Sequence, residues 1–180
     1  MSWNKAIINQ KLQKHHEDFD SLINELPDEL FDFNTESTWT SGQIQNHLIL
    51  SIKPVKLILK LPKFLLKYYY GQSNRKSRTY DELVTRYLKA LDGRKAKAPK
   101  QFSPKRIGAS KRKQNSKKFH KAFVGLIKAT NRWKESDLDL YIIPHPLLGK
   151  LTLREILYFS IFHVQHHKKQ VETIEKRVNN

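Results

Sequence analysis

The stretch TLREILYFSIFHVQHHKKQVETIEKR, residues Thr152 to Arg177, decides the fold. Thr152 can accept a hydrogen bond from a first-turn backbone N–H, and Glu155 can reach back to the N–H of Thr152. The pair therefore predicts a capping box at a helix start. No Gly or Pro interrupts the run that follows. Ile156, Phe159, Ser160, His163, His167, Val171 and Ile174 recur at three- and four-residue steps, which marks one inward face. His163 and His167 lie about a turn apart on that face, a spacing from which two imidazoles can close on one divalent metal. Two hydrogen-bonded core histidines would show the same spacing, so the helix alone leaves both readings open. His166 points roughly 60° round the helix from His163.

A second histidine-bearing helix is expected upstream. In WTSGQIQNHL, residues 39 to 48, Thr40 as N-cap and Gln43 three residues on fit another capping box. Ile44, His47, Leu48 and Ser51 then share a face. Alone, His47 would more often be a hydrogen-bonded core residue than a ligand. With His163 and His167 it forms a constellation of three inward histidines drawn from an early helix and the last one.

These motifs resemble those of the DinB-like, or YfiT-like, superfamily of metalloproteins. Trp39, Thr40, His47 and Leu48 resemble its second-helix motif. His163, His166, His167 and Gln170 resemble its last-helix motif, and the approach from Pro146 through Leu148-Gly149 to Leu151-Thr152-Leu153 has the same look. The likeness runs from the first helix to about residue 175, departing in a Lys-rich middle third. It implies an all-α fold, a DinB-like four-helix bundle with extra short helices and a long basic loop. It also implies one divalent metal ion, zinc or nickel, held by His47, His163 and His167. The implied chemistry is thiol-dependent transfer, in which a low-molecular-weight thiol attacks a small electrophile, or hydrolysis. Homodimers are common in the superfamily.

Length and composition bound these expectations. At 180 residues the chain reads as a single domain, 1–180, long enough to bury a core. With no cysteine, disulfides, zinc–thiolate sites and a cysteine nucleophile are excluded. The polar N-terminus shows no signal-peptide pattern, and a cytoplasmic location is expected. The net charge of +17 is concentrated in two segments. Between Ser37 and Tyr80 there are eight Lys/Arg and no acid; between Gly93 and Lys134 there are fifteen and no acid. The second segment begins with a Pro- and Lys-rich run, and residues 94–115 are expected to form an exposed basic insertion.

Other helices follow from periodicity: residues 4–26 up to Pro27, a helix opened by Thr79–Glu82 with Leu83, Tyr87, Leu88 and Leu91 inward, and one capped by Ser116 and running to Trp133. The helix begun at Thr40 should bend or restart at Pro54. In residues 53–70, KPVKLILKLPKFLLKYYY, five lysines rule out a bilayer span. A bundle-packed amphipathic helix, bent at Pro62, is favoured over a segment docking on anionic lipid.

Three neutral imidazoles would leave a divalent ion with open positions and its full charge, able to acidify a water or thiol. Catalytic residues beyond that water or thiol stay unassigned. Gln170 is placed to orient a ligand or a bound water, and reads equally well as a solvated polar residue near the helix end. His166, and His145 between two prolines at the approach to the last helix, are further candidates for lining the site. A metal-dependent transferase or hydrolase is thus weighed against a sequence-blind nucleic-acid or anionic-surface binder using the basic segments, and against a non-catalytic metal-binding bundle. Nonspecific polyanion contact would weaken steeply with salt.

Overall fold

The computed structural model describes residues 2–34, 38–92 and 99–178. They are mostly helical. The elements in order are α1 Lys5–Glu25, α2 Asp28–Asp32, α3 Ser41–Ile58, α4 Lys63–Tyr70, α5 Tyr80–Asp92, α6 Arg112–Asn131, α7 Asp137–Leu140, β1 Ile142–His145, β2 Gly149–Thr152 and α8 Leu153–Val178. Two short 3-10 turns, Lys100–Phe102 and Ala109–Lys111, precede α6. The long helices pack in a closed ring: α1 on α6, α6 on α3, α3 on α8 and α8 on α1. The core lies inside that ring, with Phe19, Leu48, Phe119, Phe123, Leu126 and Leu157 fully buried. Among the described residues no helix is long and apolar enough to cross a membrane.

All three expected capping boxes form. Thr152 Oγ1 accepts from Glu155 N at 3.2 Å while Glu155 Oε2 accepts from Thr152 N at 2.9 Å. Thr40 and Gln43 exchange bonds of 3.1 Å each, and Thr79 pairs likewise with Glu82. Each such box satisfies two of the orphan N–H groups at a helix start, typically stabilising by about 1 kcal/mol. Asn4 caps α1 by accepting from Ile7 N.

Several expectations need correcting. The helix begun at Thr40 does not restart at Pro54: it continues to Ile58, where Leu59 N bonds Val55 O and Trp133 Nε1 donates to Leu59 O at 2.9 Å. Pro54 lies in the last turns, where one missing N–H costs least continuity. Pro62 does not bend a helix but starts one, since α4 begins at the next residue. Helix α6 opens at Arg112, four residues before Ser116. The Ser116 hydroxyl instead accepts from Gln45 Nε2 at 3.1 Å and donates to Asn24 Oδ1 at 3.2 Å. Leu88 is 40 % exposed rather than inward.

The expected all-α fold acquires a β-hairpin. Pro144 and Pro146 deny the approach to α8 a helical ladder, while Ile142 and Ile143 favour a strand. Strands β1 and β2 pair antiparallel with Ile143 opposite Leu151, both buried. The reversal is completed at Gly149, whose φ of 72° lies in the left-handed region.

The first part of the expected basic insertion, residues 94–98, lies outside the described residues. From Pro99 onward the segment lies along α2 and α3. Ala109 N donates to Asp32 Oδ2 at 3.1 Å, and Arg106 Nη2 donates to Asp32 O. Residues Arg112–Asn115 are already the first turn of α6. A Cβ on Gly42 would sit 2.5 Å from the Ile107 carbonyl oxygen and 2.8 Å from the Phe31 ring, so only glycine lets the chain pass this close to α3.

The N-terminus of α8 is locked by ion pairs. The fully buried Glu155 takes both guanidinium nitrogens of Arg75, at 2.7 and 2.8 Å, and is met by Arg78. Arg154, 4 % exposed, bonds Asp139 through Nε and Nη2 and Glu135 through Nη1. These bidentate pairs hold their carboxyls ionised: hydrogen bonds from the arginines outweigh burial and keep Asp139 and Glu155 below the usual carboxylate range.

Candidate metal centre

Helix α3 presents His47 in its second turn, and α8 presents His163 and His167 one turn apart on its inward face. All three are buried, each 6 % exposed. His163 Nε2 stands 3.1 Å from His47 Nε2 and 3.0 Å from His167 Nε2. The three candidate ligand atoms lie within 4.8 Å of one another, an arrangement that could hold one metal ion.

The outer nitrogens determine what the inner ones can be. His47 Nδ1 lies 2.8 Å from the carbonyl oxygen of Phe102, which only accepts, so this nitrogen carries the proton. His167 Nδ1 lies 2.7 Å from Gln170 Oε1 and donates to it; the same amide turns its Nε2 toward His166 Nε2 at 3.4 Å. Neutral His47 and His167 therefore aim bare Nε2 lone pairs inward. His163 has one ring proton and can satisfy at most one of them. An all-protein hydrogen-bond scheme thus leaves a buried lone pair facing another, whereas a cation satisfies all three.

Protonation does not resolve the conflict. Burial, and then the neighbouring His167 and His47, push the His163 imidazole well below its ordinary pKa. Burial takes His167 down to about 3, and His47 is lowered as well. At neutral pH the three are neutral, the state that binds a metal. Trp39 covers the group with its ring 4.8 Å from that of His47 and 6.4 Å from that of His167, and Phe159 stacks on His163 at 4.9 Å.

A family model described as the DinB superfamily matches residues 11–171. The chain belongs to the DinB superfamily. The match takes in His47, His163, His167 and Gln170, as well as the basic stretch between the two histidine helices. No curated protein matches the chain.

The two further candidate histidines, His166 from the last-helix motif and His145 from the loop before α8, stand outside the three-histidine group. His166 is half-buried against Phe162 and Tyr87. His145 ends β1, where its Nδ1 accepts from the backbone N–H groups of Leu147 and Leu148 at 3.2 Å each, which leaves its proton on Nε2. Its ring meets Phe159 at 4.3 Å, and burial lowers its pKa to about 4. Sequence reasoning missed the Phe102 carbonyl, because a backbone group carries no residue-type signature. A lone aromatic in a Lys-rich run was the available signal.

Sequence reasoning also missed a second meeting of histidines. His16 on α1, 2 % exposed, brings Nε2 to 3.2 Å from Nδ1 of the exposed His120 on α6. A cavity of about 320 Å³ adjoins them, lined also by Glu17, Asp20 and Glu25. Of the adjacent His15 and His16, His15 is only half-buried, and it is His16 that packs between Phe119 and Phe123.

Proposed function

We propose that this chain is a metal-dependent enzyme of the DinB type. It is a transferase of the thiol S-transfer kind, or a hydrolase, acting on a small molecule in the cytoplasm. In this reading it is a single four-helix-bundle domain. His47, His163 and His167 hold one divalent ion, zinc or nickel. The observation that carries the reading is the convergence of three Nε2 atoms whose two outer partners, Phe102 O and Gln170 Oε1, fix the lone pairs inward.

The chain's own residues do four things in this scheme. Burial keeps the imidazoles neutral. Phe102 and Gln170 fix ring orientation and raise ligand basicity by accepting from Nδ1. Trp39 and Phe159 shield the rings from bulk water. Three protein ligands, with no carboxylate among them, leave positions open for a substrate, as catalytic sites do and closed structural sites do not. The chemistry such an ion supplies is Lewis acidity, which brings a water or thiol close to deprotonation at neutral pH.

The test is elemental analysis of untagged protein, wild type beside His163→Ala. About one equivalent of metal in the wild type and none in the variant supports the site, and turnover is then sought with thiols and small electrophiles. Protein that takes up neither zinc nor nickel would sink the reading. Metal without turnover over that panel would leave a metal-binding bundle.

A further inference from the structure

The sequence favoured packing residues 53–70 into the bundle, and the structure places much of that segment outside it. The four most exposed large apolar side chains among the described residues are all here: Tyr68 at 80 %, Phe64 at 69 %, Tyr69 at 67 % and Leu57 at 64 %. The elbow between α3 and α4 is held from beneath by Leu59, Leu66 and the Trp133–Leu59 bond, so it is a fixed platform. Phe64 and Tyr68, four residues apart, share the outward face of α4. Lys53, Lys60 and Lys67 belong to the same segment and are all exposed, and no acidic residue occurs from Thr38 to Thr79. Lys63 is paired with Asp137 from α7.

We infer that the α3–α4 elbow docks on an anionic lipid bilayer surface, inserting Leu57, Phe64 and Tyr68 among the headgroups while the lysines engage lipid phosphates. The composition selects this occupant. An aliphatic side chain beside aromatic ones gains from an apolar phase, tyrosines favour the membrane–water boundary, and lysine stems run along apolar surface with their ammonium groups outward. A second copy of the chain is disfavoured, because apposing two such faces would set lysines against lysines. Single-stranded nucleic acid would find stacking rings, but Leu57 offers it no π-face. The binding is peripheral, since no described helix can span a bilayer. It goes beyond the proposed enzymatic role and is independent of it. His47 lies ten residues before Leu57, about 15 Å along the same helix, so docking leaves the histidine end clear of the lipid.

The experiment is flotation of the full chain with vesicles of pure phosphatidylcholine and of phosphatidylcholine mixed three to one with phosphatidylglycerol. Wild type should float with the mixed vesicles and much less with the neutral ones. Phe64→Ser/Tyr68→Ser and Lys60→Glu/Lys67→Glu should each weaken binding roughly ten-fold or more. These side chains are exposed, so the variants should melt and take up metal as wild type does. Equal flotation of wild type and the serine variant would overturn the proposal. So would tighter binding to poly-uridylate than to anionic vesicles with the same loss in the variants. A concentration-dependent dimer that the serine variant abolishes, with no flotation, would assign the face to a second copy and would also overturn it.

Discussion

Histidines from different helices meet twice in this molecule, and the two meetings are not equivalent. At the centre formed by His47, His163 and His167, three nitrogens converge in a buried place, and two of the rings have already given their proton to an acceptor on the far side. Between His16 and His120, two nitrogens share one contact, which a single proton satisfies, and His120 stays open to water. Count and burial matter less than where the outer nitrogens point. A ring anchored through Nδ1 presents a lone pair and waits for a cation. A pair with an unanchored member settles its own hydrogen bond. The acid-lined cavity beside His16 is thus no second metal centre by geometry alone.

The widest separation between the two clusters should appear in metal content. His163→Ala is expected to drop bound zinc or nickel to background, and to abolish the rise in melting temperature that added metal gives wild type. That rise corresponds to about 2.7 kcal/mol at a hundred-fold excess over Kd. Retention of metal by His163→Ala would break the distinction.

Acid should sharpen it next. The folded-state pKa of His167 lies at about 3, below the ordinary 6.5 of an unfolded chain. Between those values the unfolded state binds the extra proton, so metal-free protein loses stability as pH falls below 6.5. At pH 5 His167 alone accounts for about 2 kcal/mol, read from chelator-treated denaturant titrations at pH 7 and pH 5. His167→Ala should flatten that dependence.

Smaller effects come from the anchors and the control pair. Gln170→Ala, which frees His167 Nδ1, should weaken metal binding about ten-fold in a chelator competition without removing the site. His120→Ala should leave metal content unchanged and cost about 1 kcal/mol of stability, since it removes the hydrogen-bond partner of the buried His16. Loss of metal in His120→Ala would mean that the pair, and not the triad, is the metal centre.

What was legible in the sequence was local. The capping boxes at Thr40, Thr79 and Thr152 depend on residues three apart, and all three form. His163 and His167 were paired by helical spacing, and Gln170 by its distance from His167. What was not legible depends on partners far along the chain. The hairpin pairs Ile143 with Leu151, eight residues further on. Glu155 was readable as a cap but not as the buried seat of Arg75, eighty residues away. The exposure of Phe64 and Tyr68 reflects a break at Leu59–Pro62 that turns α4 off the bundle, where periodicity suggested one bent helix.

Gly42 has a role that its position five residues before His47 conceals. The Ile107 carbonyl, on the stretch of chain leading on from Phe102, passes so near α3 there that a Cβ at residue 42 would lie 2.5 Å from it. That same stretch delivers the carbonyl that chooses which His47 nitrogen keeps its proton. A hydrogen atom in place of a side chain at residue 42 therefore works as a spacer gauge. It lets the segment that carries the Phe102 carbonyl lie close against the helix that carries His47.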